Sequence, residues 1–140
     1  MEKISEEVWE KLFARAREAK EKAYAPYSRF QVGAALLARD GRIFAGCNVE
    51  NASYSLTICA ERVAVATAVT AGCREFVALA LVSSADDYIY PCGACRQVLF
   101  EFAPAMLVGV AGLQGIKIVR VAELLPAPFD GGVLETNSHE

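Results

Sequence analysis

The sequence predicts an α/β fold: a three-layer helix–sheet–helix sandwich with a mixed five-stranded sheet. Three observations predict it. An amphipathic helical stretch precedes two apolar runs joined by a hairpin dipeptide, and later helical segments alternate with runs of strand length. The last two of those runs are too close together for a crossover helix, so antiparallel and parallel pairings must be mixed.

The elements follow in order. From Ser5 to about Ala23, apolar residues at Val8, Trp9, Leu12, Phe13, Ala16 and Ala19 recur every three or four positions, and Ser5 is placed to cap this first helix. Phe30 to Ala38 and Arg42 to Cys47 flank Asp40-Gly41, a dipeptide suited to tight turns, and should pair antiparallel. The Ala- and Val-rich stretch Cys59 to Ala71 ends at Gly72 and predicts a buried helix. Phe76 to Val82 is continuously apolar, as in a strand covered on both faces. Pro91 opens a helix through Phe102, because the first helical amides have no partner for the hydrogen that proline lacks. Met106 to Val110 and Ile116 to Val121 are the last strands, and the short Ala111 to Gly115 connection makes them a hairpin.

Composition narrows the functions. The 140 residues suit one domain, placed at 1–130, with a polar tail at 131–140. A hydrophobic fraction of 54% with 22% charged residues excludes a disordered chain. The longest uncharged stretch, Phe102 to Ile116, holds a proline and three glycines and cannot span a bilayer, so no membrane role is expected. Met1 to Arg15 mixes acids and bases without the apolar run of an export signal, which predicts a cytoplasmic protein. A net charge of −3 argues against nucleic acid as a partner, since phosphate backbones call for a concentrated basic face. Five cysteines, an odd number in a chain without an export signal, point to metal or thiol chemistry rather than disulfides. The one histidine, His139, sits in the tail, so a metal site must use other ligands.

Cys92-Gly93-Ala94-Cys95 puts two sulfurs one helical turn apart, where the helix N-terminus lowers thiol pKa. That spacing serves a redox dithiol as well as a metal. Cys59, at the start of the preceding helix, is a possible third ligand, because the strand between the two helices brings both helix starts to the same end of the sheet. Three thiolates leave one corner of a tetrahedral zinc open, the mark of a catalytic rather than a structural ion. Glu61, two residues after Cys59, need not share its direction and is placed to carry protons without ligating; standing alone it would be an ordinary first-turn carboxylate. Cys47 and Cys73 read as small buried apolar residues. Tyr88, Ile89 and Tyr90 precede Pro91 and shape the loop beside the cysteines.

Cys59-Ala60-Glu61 with Pro91-Cys92-Gly93-Ala94-Cys95 resembles the signature of zinc-dependent nucleoside deaminases in their three-cysteine form. The stretches Tyr24 to Leu36, Gly46 to Tyr54, Cys95-Arg96-Gln97-Val98 and Glu123-Leu124-Leu125-Pro126 with Phe129 extend the similarity to the small tetrameric cytidine deaminases across nearly the whole chain. The resemblance implies one zinc per subunit on Cys59, Cys92 and Cys95. It also implies hydrolysis at C4 of cytidine and 2′-deoxycytidine to the uridines and ammonia, with Glu61 as proton shuttle. It makes Arg62 a donor to the zinc thiolates and assigns Asn48 and Glu50 to the ribose 3′-hydroxyl. Phe30 and Phe129 become the aromatics on the pyrimidine, with Ala52 and Tyr54 as further contacts. In the homotetramer so implied, Phe129, Ala52 and Tyr54 reach a neighbouring subunit's site. A structural zinc module or a thiol oxidoreductase explains the Cys92–Cys95 pair but leaves Cys59 and Glu61 unused. A deaminase of related aminonucleosides would lack the Asn48 to Tyr54 stretch.

Overall fold

The computed structural model describes residues 3–132 and 134; His139 and most of the tail lie outside them. Helix α1 spans Glu6–Lys20, with the Ser5 side chain accepting the Val8 amide at 3.2 Å. It stops three residues short of Ala23. The amides of Lys22 and Ala23 bond back to the carbonyls of Ala19 and Lys20, a tightened last turn, and Tyr24 then bridges Val49 ahead of Pro26.

The strands are β1 (Val32–Ala38), β2 (Ile43–Cys47), β3 (Phe76–Ser83), β4 (Leu107–Gly112) and β5 (Gly115–Arg120), in one sheet of order β2-β1-β3-β4-β5. Neighbours pair antiparallel except β3 with β4, which is the mixed sheet the sequence predicts. β1 begins at Val32 rather than Phe30, because side-chain oxygens take the preceding amides: Ser28 Oγ binds the Phe30 amide and Ser84 Oγ that of Gln31. Asp40-Gly41 makes the expected turn, with Gly41 at a φ of +97°.

Helices α2 (Ala60–Thr70) and α3 (Gly93–Phe102) connect β2 to β3 and β3 to β4. Pro91 is not the first helical residue. Cys92 is extended, at φ −67° and ψ 168°, and serves as the N-cap of α3, so the proline sits one position outside. Two elements escaped the periodicity: a 3₁₀ turn at Tyr54–Leu56, and a one-turn helix α4 (Val121–Leu124) that takes Val121 out of the last strand. The Glu123 carboxylate accepts the Arg120 amide at 2.9 Å and so starts α4 without the usual capping side chain.

Successive residues of β1 face opposite layers. Leu36 and Ala38 meet α2 and α3 together with Leu79, Leu81 and Val108, whereas Ala35 and Leu37 meet Trp9, Leu12 and Phe13 of α1. Each buried Leu or Phe contributes roughly 2 kcal/mol, and helix-to-sheet contact is close where glycine allows it. A Cβ on Gly33 would lie 1.9 Å from the Ala16 carbonyl oxygen and 2.6 Å from the Lys20 amide nitrogen. Neither atom is the end of a flexible side chain. Gly33→Ala should therefore push α1 off the sheet, at about 3 kcal/mol and a loss of about 10 °C in Tm, measurable by calorimetry.

Candidate active site

β2, β3 and β4 all run in one direction, since β1 is antiparallel to both β2 and β3 and β4 is parallel to β3. Both α2 and α3 therefore start at the C-terminal ends of the strands they follow. Gly46 lets α2 lie against β2, for a Cβ there would be 2.6 Å from the Ala60 carbonyl oxygen. Cys59 and Cys92 are the N-caps of α2 and α3, and Cys95 is in the first turns of α3. The three sulfurs lie within 4.8 Å of one another, with Cys59 and Cys92 3.8 Å apart. Metal–sulfur bonds of about 2.3 Å in a tetrahedron put sulfurs about 3.8 Å apart. The donor set fits zinc.

The electrostatics fit as well. Hydrogen bonds from Cys95, then Arg62 and Cys92, draw the Cys59 thiol down to about 5, and the same contact with Cys59, reinforced by burial, pushes Cys95 up. One sulfur thus carries the charge that its neighbours share, and a divalent cation is what allows all three to be thiolates. Among the described residues no fourth Cys, His, Asp or Glu joins the cluster, and Cys47 stays outside it. A closed structural site would need a fourth ligand that none of the described residues supplies.

Glu61 is 4% exposed and stays out of the ligand group. Burial, more than the charge of Cys59, pushes its carboxyl up to about 7, poised between donating and accepting a proton near neutrality. The Arg62 Nη2 donates to the Cys59 sulfur at 3.7 Å and to the Thr57 carbonyl at 3.4 Å, and its Nε is buried with no hydrogen-bond partner among the described residues. A guanidinium donating to a ligand sulfur is placed to offset the surplus negative charge of a three-sulfur centre. Arg62→Ala should weaken zinc binding by about 10–100-fold in a chelator competition, and unchanged affinity would remove this role from Arg62.

The other sequence-singled residues gather around the same end of the sheet. Asn48, buried, donates from Nδ2 to the Phe30 carbonyl at 2.8 Å and accepts the Val32 amide on Oδ1 at 2.9 Å. Its side chain thus fixes the entry to β1 and with it half-buried Phe30. Glu50 accepts the Tyr27 amide at 2.9 Å, the Ser28 amide at 3.1 Å and the Ser28 hydroxyl, and these bonds, the hydroxyl's above all, lower its pKa. Ser28 is the partner that sequence reading missed. Arg29 next to it takes the left-handed conformation, φ +59°, which turns the chain toward Phe30. Ala52 is exposed in the turn closed by the Ser53 amide on Asn51 Oδ1, and Tyr54 follows, its ring edge-on to that of Tyr27 at 6.0 Å. Phe129 is 61% exposed, its backbone tied to Gln97. Tyr88 packs on the β4–β5 hairpin beneath the Lys117 ammonium, 4.4 Å from the ring centroid.

Three converging thiols, with a buried carboxyl kept outside the ligand set, define a zinc-dependent hydrolase centre of the deaminase class. Residues 6–110 match the family model of the cytidine and deoxycytidylate deaminase zinc-binding region. The chain belongs to the cytidine deaminase family. It is 53% identical over 122 residues to the cytidine deaminase of Sporosarcina psychrophila, covering 86% of this chain and 90% of that protein. It is 52% identical over 120 residues to that of Halalkalibacterium halodurans, covering 84% and 91%. The crystal structure of cytidine deaminase from Burkholderia pseudomallei matches the fold with a TM-score of 0.83 at 47% identity, over 90% of this chain and 100% of that one.

Proposed function

We propose that this chain, through a catalytic domain at 1–130, hydrolyses free cytidine and 2′-deoxycytidine to uridine and 2′-deoxyuridine with release of ammonia, as a cytoplasmic enzyme of pyrimidine salvage. The observation that carries it is the convergence of Cys59, Cys92 and Cys95 within 4.8 Å beside buried Glu61. Cys59, Cys92 and Cys95 would hold a zinc ion, which would supply Lewis-acid activation of water. Glu61 takes one proton from the attacking water and delivers it to ring N3 as the C4–O bond forms, then takes the proton of the new C4 hydroxyl and delivers it to the 4-amino group, so that the C4–N bond breaks, ammonia leaves and C4=O remains, one water being consumed for each ammonia released.

The remaining roles fall to binding. Asn48 uses one amide hydrogen and one lone pair on the backbone and keeps its second amide hydrogen to donate to the ribose 3′-hydroxyl oxygen, while the carboxylate of Glu50, held ionised by Ser28, accepts the hydrogen of that hydroxyl. Phe30 and Phe129 flank the pyrimidine. Phe129, Ala52 and Tyr54 come from neighbouring subunits of a homotetramer, a reading supported by the exposed apolar side chains Tyr24, Tyr54, Leu56, Ile58 and Phe129. The test is the ultraviolet absorbance of cytidine and of 2′-deoxycytidine on incubation with the zinc-loaded protein, with ammonia counted by a coupled assay and subunits by sedimentation. Equimolar loss of nucleoside and gain of ammonia is expected. A stable absorbance with one zinc per chain bound would overturn the reading.

A further inference from the structure

Cys95 is followed by two residues that no part of the zinc chemistry uses. Arg96 donates from Nε to the Pro91 carbonyl at 2.6 Å and from Nη1 to the Leu124 carbonyl at 2.9 Å. Gln97 meets the backbone of Phe129 at two points: its Nε2 donates to the Phe129 carbonyl at 2.9 Å, and its Oε1 accepts the Phe129 amide at 3.0 Å. A primary amide is the one side-chain group that can match a peptide's donor and acceptor together as another backbone would. The segment it holds has little else. Residues 125–129 carry Pro126 and Pro128, which have no amide hydrogen, and lie beyond the end of α4. Among the described residues, the hydrogen bonds of 126–129 end on Gln97.

From this geometry we propose that Gln97 is a positioning residue for the substrate: it fixes Phe129 to the helix that carries Cys92 and Cys95. Arg96 sets the neighbouring carbonyls from the same turn. Phe129, 61% exposed, is thereby held on α3 of its own chain and presents its ring toward a neighbouring subunit's site in a defined direction, without an ordered secondary structure of its own. The cost of ordering that ring is met before the nucleoside arrives, and this acts on binding rather than on the chemical step. The proposal rests on the assignment of Phe129 to the pyrimidine.

The isosteric change Gln97→Glu keeps the acceptor and removes the donor, placing a carboxylate oxygen against the Phe129 carbonyl. KM for cytidine should rise about tenfold, with kcat within about twofold of wild type and one zinc per chain retained. Phe129→Ala should raise KM by at least as much, and the double variant should be no worse than Phe129→Ala alone, since the amide then has no ring to place. If Phe129→Ala raises KM while Gln97→Glu does not, or if the two effects multiply in the double variant, the positioning role is wrong and the aromatic reading survives. If Phe129→Ala leaves KM unchanged, the aromatic reading fails and the positioning role with it. A fall in kcat and zinc content with Gln97→Glu would make the residue a support of α3 and would also overturn the proposal.

Discussion

Glu61→Gln should leave one zinc per chain in place and lower kcat by about 10²–10⁴-fold, seen as cytidine absorbance that persists beside an active wild-type control. Zinc is retained because the carboxylate is no ligand: the sulfur cluster closes without it. Activity falls because glutamine preserves volume and hydrogen-bonding reach but cannot exchange a proton at any usable pH. The same substitution should stabilise the metal-free protein. Burial holds the carboxyl at about 7, above its ordinary value of 4.5, so ionising it in the folded state is unfavourable. The sign follows from linkage: the penalty is absent below about pH 4.5, grows as pH rises through the interval, and is complete above about 7. In chelator-treated protein at pH 8 the variant should be more stable in denaturant by on the order of 3 kcal/mol, and at pH 5 by far less. Equal stability at both pH values would show that Glu61 is not desolvated in the folded chain. An equal kcat would take the proton shuttle away from it.

The sheet and the three cysteines were legible in the sequence because both rest on short-range rules. Apolar runs and the Asp40-Gly41 turn set the strands, and two helix starts following successive strands must meet at one end of a sheet. What stayed hidden depends on particular long-range partners. Nothing local says that the amide of Asn48 closes on Phe30 and Val32, that Ser28 holds Glu50, or that Gln97 grasps Phe129, which lies 32 residues further on. Periodicity reports which face a residue buries and is silent on which backbone group a polar side chain satisfies. Pro91 shows a smaller limit of the same kind. Proline is tolerated both at the first helical position and just before the cap, and the choice is made by the Pro91 carbonyl, which bonds to Arg96. The short α4 begins at a valine after an arginine, a pattern that continues a strand equally well.

Removal of zinc should abolish deamination, and Cys95→Ser should do so irreversibly. Cys95 is the deepest of the three sulfurs, fully buried, whereas Cys59 is partly covered and Cys92 exposed. Without the cation the cluster is frustrated: Cys59 near 5 holds a thiolate at neutral pH, and that sulfur beside Cys95, with the cover of the fold, keeps the Cys95 proton on. Loading the metal must therefore expel protons, and affinity must rise with pH. Dialysis against chelator at pH 5 should strip zinc far faster than at pH 8. Calorimetric titration of zinc into the stripped wild type, in two buffers of different ionisation enthalpy, should count at least one proton released per ion at pH 7. Activity should return in proportion to zinc up to one equivalent. With Cys95→Ser a hydroxyl replaces a thiolate at the buried corner, so neither stoichiometric zinc nor activity should be recovered, whereas Cys47→Ala should bind zinc as the wild type does because its sulfur lies outside the group. Stripped protein that retains full activity, or zinc lost with Cys47→Ala, would place the metal or the chemistry elsewhere.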